Sequence, residues 1–183
     1  VKDSYVLFLG RIVPEKGVHY LIDAFKRLDT GKRLVIAGGA SDSAEYYESV
    51  RKAAGSDPRI VLVGFTQGAE LAELYSNAYA YVLPSDLEGM PMSLLEALSY
   101  GNCCLTSDIP ECADVLRGED GVMHGVTFRE GDVDDLAARL QELLDHPDTV
   151  AAFGKDAAAY VTGRYNWDAI TRQTLNTYKG EDQ

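Results

Sequence analysis

The chain has 183 residues, 46% hydrophobic and 25% charged, enough for one core of ordinary domain size, and it is read as a single domain over residues 1–183. Seventeen basic against 29 acidic residues give a formal net charge of −12, which repels nucleic acid, and no apolar run nears the ~20 residues of a membrane-spanning helix, so direct membrane insertion is not expected. The three cysteines, Cys103, Cys104 and Cys112, are odd in number and lack the C-x-x-C spacing of a metal site, which argues against a disulfide framework or zinc; Cys103 and Cys104, on a strand-like run, are expected to be buried, and a reducing, cytoplasmic setting fits.

The sequence opens Val-Lys-Asp-Ser, without an initiator methionine or a signal peptide, and is expected to belong to a longer chain. Short, almost wholly apolar runs at Tyr5–Leu9, Leu34–Ala37, Ile60–Val63, Ala80–Leu83 and Cys103–Thr106 read as strands. Continuous apolarity implies burial on both faces and therefore a parallel sheet. Amphipathic helices are predicted between them at Val18–Leu28, Ala44–Ala54, Ala69–Ala78 and Met92–Tyr100. This alternation predicts a Rossmann-like, doubly wound α/β fold with helices on both faces and ligands at the carboxyl ends of the strands. Beyond Thr106 the sequence reads as a turn-rich stretch through Gly125. Helices follow at Val133–Leu144, Thr149–Thr162 and Trp167–Tyr178, and a polar tail from Lys179 is expected to fray.

The informative loops are those after the strands. Gly10-Arg11-Ile12-Val13-Pro14-Glu15-Lys16-Gly17 places a guanidinium and an ammonium on one short connection, where both can face one anion. It is not a G-x-x-x-x-G-K-S/T phosphate loop, because no hydroxyl follows Lys16. After the fourth strand comes Pro84-Ser85-Asp86-Leu87-Glu88-Gly89-Met90-Pro91-Met92-Ser93-Leu94-Leu95-Glu96. Pro91 suits the first turn of a helix. The amides of Met90, Met92 and Ser93 are then expected to point out of a positive helix end, toward phosphate or sugar oxygens, with Gly89 allowing close approach. Glu88 precedes that helix and Glu96 lies in its second turn, so the two reach different parts of one extended ligand rather than share a proton. Glu96 also follows Leu94 and Leu95 among apolar neighbours, which sets it apart from an ordinary solvated charge.

Taken in order, Gly10-Arg11…Glu15-Lys16-Gly17, Pro84-Ser85…Glu88-Gly89…Leu95-Glu96-Ala97, Gly101 and Ser107-Asp108-Ile109-Pro110-Glu111 resemble the C-terminal, donor-binding domain of the retaining glycosyltransferases of the GT-B fold, the large "glycosyl transferases group 1" family. The resemblance covers nearly the whole chain. It implies Arg11 and Lys16 as diphosphate ligands, Glu88 as the carboxylate beside the donor sugar and Glu96 as the ribose ligand. Met90, Met92 and Ser93 would serve the sugar and distal phosphate, and Gly64-Phe65-Thr66 would border the base. It further implies a nucleoside-diphosphate sugar as substrate, no cofactor, and an N-terminal acceptor domain in the parent chain, against which the helix at about 165–179 could pack. Where family members often carry Gly-Phe-Gly, this chain has Gly89-Met90-Pro91, which removes one amide and leaves the sugar open.

Other patterns are read as structural. Asp132-Val133-Asp134 opens a helix, where aspartates cap and complement the dipole without a metal. With Arg11, Lys16 and a helix N-terminus near the leaving group, a metal-independent reaction is predicted. Gly38-Gly39-Ala40 reads as a tight turn, His19 as a helix-surface residue and His146 as a helix C-terminal residue. Trp167 and the tyrosines of the last helix are read either as core or as a contact with the absent domain.

Overall fold

In the computed structural model, residues 1–40 and 44–180 are described, except for the side chain of Trp167. Six strands form one parallel sheet: β1 (Tyr5–Leu9), β2 (Arg33–Ala37), β3 (Ile60–Gly64), β4 (Ala80–Leu83), β5 (Cys104–Ser107) and β6 (Val126–Phe128), in the order β3-β2-β1-β4-β5-β6. Consecutive residues point to opposite faces of a strand, and Val6, Leu7 and Phe8 of β1 are all fully buried, so both faces of the sheet are covered. The helices are α1 (Val18–Phe25), α2 (Ala44–Ala54), α3 (Gly68–Asn77), α4 (Met92–Ser99), α5 (Pro110–Leu116), α6 (Val133–Asp145), α7 (Pro147–Arg164) and α8 (Trp167–Lys179). α1 packs against α2 and α6, and α4 against α7.

The doubly wound expectation holds, and the strand order adds what the sequence did not show. The chain works outward from β1 through β2 to β3, then restarts beside β1 at β4. That reversal opens a crevice between the carboxyl ends of β1 and β4, which is where doubly wound sheets bind ligands. The two loops singled out in the sequence leave these two strands.

The stretch read as turns through Gly125 holds a helix and a strand. α5 is started by Pro110, whose missing N–H costs nothing at a first position, and β6, three residues long, extends the sheet beside β5. Helix α1 ends at Phe25 rather than Leu28, in a turn where the N–H groups of Arg27 and Leu28 bond carbonyls three residues back. Asn102 is buried, and its side-chain amide donates to the Ala97 carbonyl at 3.0 Å, closing the end of α4. Asp132 caps α6 as expected, accepting from the Asp135 N–H at 2.9 Å, and it also pairs with Arg129 at 2.8 Å. His146 ends α6, with its N–H on the Glu142 carbonyl.

α8 stands apart from this packing. Ile170 and Leu175 are exposed and Tyr178 is 85% exposed, so the helix tyrosine is not core. The Trp167 side chain and the tail beyond Gly180 lie outside the described residues. Among the described residues no helix is long and apolar enough to cross a membrane.

Candidate functional site

The loops after β1 and β4 are laced together. Pro14–Lys16 forms a single 3₁₀ turn, and Gly17 follows it in the left-handed region, at φ 62°. A β-carbon at Gly17 would stand 1.9 Å from the Pro84 carbonyl oxygen, so this glycine is required twice, by its dihedral and by the close approach. The Asp86 N–H donates to the Glu15 carbonyl at 2.9 Å, and the Tyr20 hydroxyl reaches Asp86 Oδ2 at 3.4 Å.

Across this seam Lys16 Nζ donates to Glu88 Oε1 at 2.6 Å, with side chains only 16% and 6% exposed. The same oxygen accepts from Ser85 Oγ at 2.7 Å, and buried Ser107 donates to the Ser85 carbonyl. The sequence reading had Lys16 facing a diphosphate and Glu88 facing a sugar. The structure also joins them directly: two opposite charges in a partly desolvated site attract each other.

Glu96 lies one turn further along α4 than the loop and is exposed; Leu94, Ala97 and Leu98 turn inward and Glu96 outward. One of its oxygens, Oε2, accepts from the Tyr75 hydroxyl at 3.0 Å. Tyr81 on β4 donates its hydroxyl to Ser93 Oγ at 2.8 Å and lies 3.2 Å from the Leu9 carbonyl, tying the start of α4 to the end of β1.

The start of α4 differs from expectation in one amide. Pro91 sits at φ −76°, ψ 78°, an inverse γ-turn that puts the Met92 N–H on the Met90 carbonyl at 2.8 Å. Pro91 is therefore the residue before the helix, and Met92 has spent its amide. The N–H groups of Met90 and Ser93 make no backbone hydrogen bond among the described residues. Met90, Met92 and Glu96 border a cleft shared with Leu95 and with Val161 and Tyr165 of the α7 region. Gly89 is exposed beside it.

A second cavity lies at the carboxyl ends of β1, β2 and β3. It is lined by Gly10, Arg11, Gly38, Gly39, Phe65 and Thr66, so the structure brings Arg11 together with the loop assigned to the base. Phe65 is 75% exposed. Gly64 is left-handed, at φ 77°, and accepts the Gly38 N–H at 2.8 Å. Gly38-Gly39 is more than a turn: a β-carbon at Gly38 would stand 1.9 Å from the Gly10 carbonyl. Arg11 is exposed and has no side-chain partner among the described residues.

His19 is not a free surface residue. Its Nδ1 lies 2.8 Å from the Tyr46 hydroxyl and its ring tilts over Tyr20 at 3.9 Å. Burial holds the imidazole below the usual histidine range, against the opposing pull of Asp86 and Asp23. Burial also raises the Asp86 carboxyl and pushes Tyr46 up to about 12. Sequence reasoning missed Tyr75, Tyr81, Ser85 and Tyr46, whose roles arise from contacts between distant segments.

The sequence model described as "Glycosyl transferases group 1" matches residues 1–160. The chain belongs to this family. Among relatives of this group 1 glycosyl transferase chain, the uncharacterized glycosyltransferase MJ1607 of Methanocaldococcus jannaschii is 28% identical over 178 residues, which are 97% of this chain and 45% of that protein. A glycogen synthase of Mycobacterium tuberculosis is 31% identical over 190 residues, covering 97% of this chain and 44% of that one. In structure, Anabaena Alr3699/HepE, solved in complex with UDP and glucose, superimposes with a TM-score of 0.87 at 20% identity, over 98% of this chain and 49% of that one. The fold is thus that of half of a GT-B glycosyltransferase. The chain spans less than half the length of these two curated relatives.

Proposed function

We propose that the chain is the donor-binding half of a retaining, metal-independent glycosyltransferase of hexosyl type, which passes a sugar from a nucleoside-diphosphate sugar to an acceptor hydroxyl. The observation that supports this reading is that Arg11, the Lys16–Glu88 pair, the open amides of Met90 and Ser93, and Glu96 all stand on the loops or the helix that leave the carboxyl ends of β1 and its neighbour β4. That solved neighbours hold UDP or UDP-glucose supports a nucleotide sugar as the ligand.

As the glycosidic bond breaks, charge develops on the diphosphate. Arg11, Lys16 and the amides of Met90 and Ser93 stabilise it, which is electrostatic catalysis with no nucleophilic side chain. Lys16 reaches the phosphate by turning away from Glu88, which frees the carboxylate for the sugar hydroxyls. Glu96 grips the ribose, and Phe65 and Thr66 border the base. Two cations and a helix terminus meet the leaving group, so the reaction draws on no metal or other cofactor.

The acceptor site belongs to an N-terminal domain of a longer parent chain, which matches the length of the relatives, and exposed α8 is available to pack on it. This chain alone binds donor and transfers nothing. The buried thiols suit a cytoplasmic setting, with the parent enzyme at the membrane surface where its acceptor is lipid-linked. The test is a pair of variants. Arg11→Ala weakens nucleoside diphosphate binding more than nucleoside binding, whereas Glu96→Ala weakens both; unchanged affinity in both variants overturns the reading.

A further inference from the structure

Glu96 does not stand alone on its helix. Tyr75, in the last turn of α3, is buried, and its hydroxyl lies 3.0 Å from Glu96 Oε2 and 3.2 Å from the Ser93 carbonyl. The ring is fixed on two sides: Tyr100, four residues after Glu96, stacks on it at 5.3 Å and 15°, and Tyr81 tilts against it at 6.0 Å. The phenol therefore has one place to be, and burial keeps it protonated well above the ordinary tyrosine range. It is a permanent donor aimed at a carboxylate that is otherwise exposed.

An exposed glutamate has three side-chain torsions and loses rotamer freedom when it binds. A vicinal diol asks for a carboxylate plane turned so that both hydroxyls can donate to it. The tyrosine restricts that rotation beforehand by holding Oε2, and Oε1 is left without a partner among the described residues. We propose that Tyr75 is a positioning residue, whose hydroxyl holds the Glu96 carboxylate ready for a ribose diol; this rests on the reading of Glu96 as the ribose ligand.

A phenol that merely satisfied itself on the Ser93 carbonyl would, on removal, change stability alone. Ribose discrimination separates the two roles. The affinities of UDP, GDP and ADP are measured calorimetrically beside those of their 2′,3′-dideoxy counterparts, in the wild-type chain, Tyr75→Phe, Glu96→Gln and Tyr79→Phe. The last removes a phenol hydroxyl that donates to the Leu143 carbonyl at 2.7 Å, and controls for lost stability.

For the base that binds best, Tyr75→Phe reduces the preference for ribose over dideoxyribose by about tenfold, the worth of a charge-assisted hydrogen bond. It leaves dideoxy affinity unchanged, and Tyr79→Phe keeps the full preference. If Glu96→Gln loses the preference while Tyr75→Phe keeps it, the ribose assignment stands and the positioning role falls. If the wild-type chain shows no preference, or binds none of the diphosphates, the ribose assignment falls and the positioning role with it.

Discussion

The Lys16–Glu88 pair lends itself to a quantitative test through Glu88→Gln. The amide keeps an oxygen for Lys16 Nζ and Ser85 Oγ, so the change removes the charge and little else. At the observed 2.6 Å, two unit charges attract by about 6 kcal/mol at an effective dielectric of about 20. Drawing both ions out of water takes back several kcal/mol. Neutralising one partner leaves an ammonium that is only 16% exposed without its counterion, and a net loss of about 2–3 kcal/mol is expected. For a domain of this size that lowers the melting temperature by about 4–12 °C. Thermal unfolding followed by circular dichroism, on Lys16→Met, Glu88→Gln and the double variant, reads the coupling. The double variant is to lose clearly less than the sum of the two, by about 2 kcal/mol, because the second change removes the stranded charge. Additivity to within about 0.5 kcal/mol refutes the pair as a desolvated, mutually dependent unit. The same Glu88→Gln variant, with Lys16 unopposed, is to bind UDP, GDP or ADP more tightly than the wild-type chain.

Gly17→Ala meets both a left-handed backbone, at φ 62°, and the Pro84 carbonyl, and is expected to cost about 3 kcal/mol or more in denaturant unfolding; a loss below about 1 kcal/mol would mean the seam between the two loops is loose. The depressed His19 value gives the acid limb a sign: the folded state binds fewer protons than the unfolded one below the ordinary histidine range, so stability is full above that range and is lost as pH falls through the folded value. His19→Gln flattens this limb in unfolding curves taken between pH 7 and about 5; an unchanged limb would assign the loss to other groups.

The central strands and their loops were legible because parallel strands buried on both faces write unbroken apolar runs, as Val6-Leu7-Phe8 and Tyr81-Val82-Leu83 do. β6 and α5 were not legible for a physical reason. Three residues, Val126–Phe128, are too few for any period to show, and seven-residue α5 makes barely two turns. The candidate site is legible only as a set of residue types near strand ends: Arg11, Lys16, Glu88 and Glu96 all stand on the loops or helix that leave β1 and β4. Their pairing was not. Lys16 and Glu88 are 72 positions apart and meet only because β4 lies beside β1. Likewise nothing in the run from Gly68 to Asn77 marks Tyr75 as more than an inward-facing helix residue, and the loss of the Met92 amide follows from the dihedral angles of Pro91.

Donor binding by the β1/β4 crevice is tested most directly by calorimetric titration of the chain with UDP, GDP and ADP, first without magnesium and then with it. The account predicts that at least one of the three binds in the absence of magnesium and that adding the ion leaves its affinity unchanged. Failure of all three at millimolar concentration, or binding that appears only with magnesium, would contradict it.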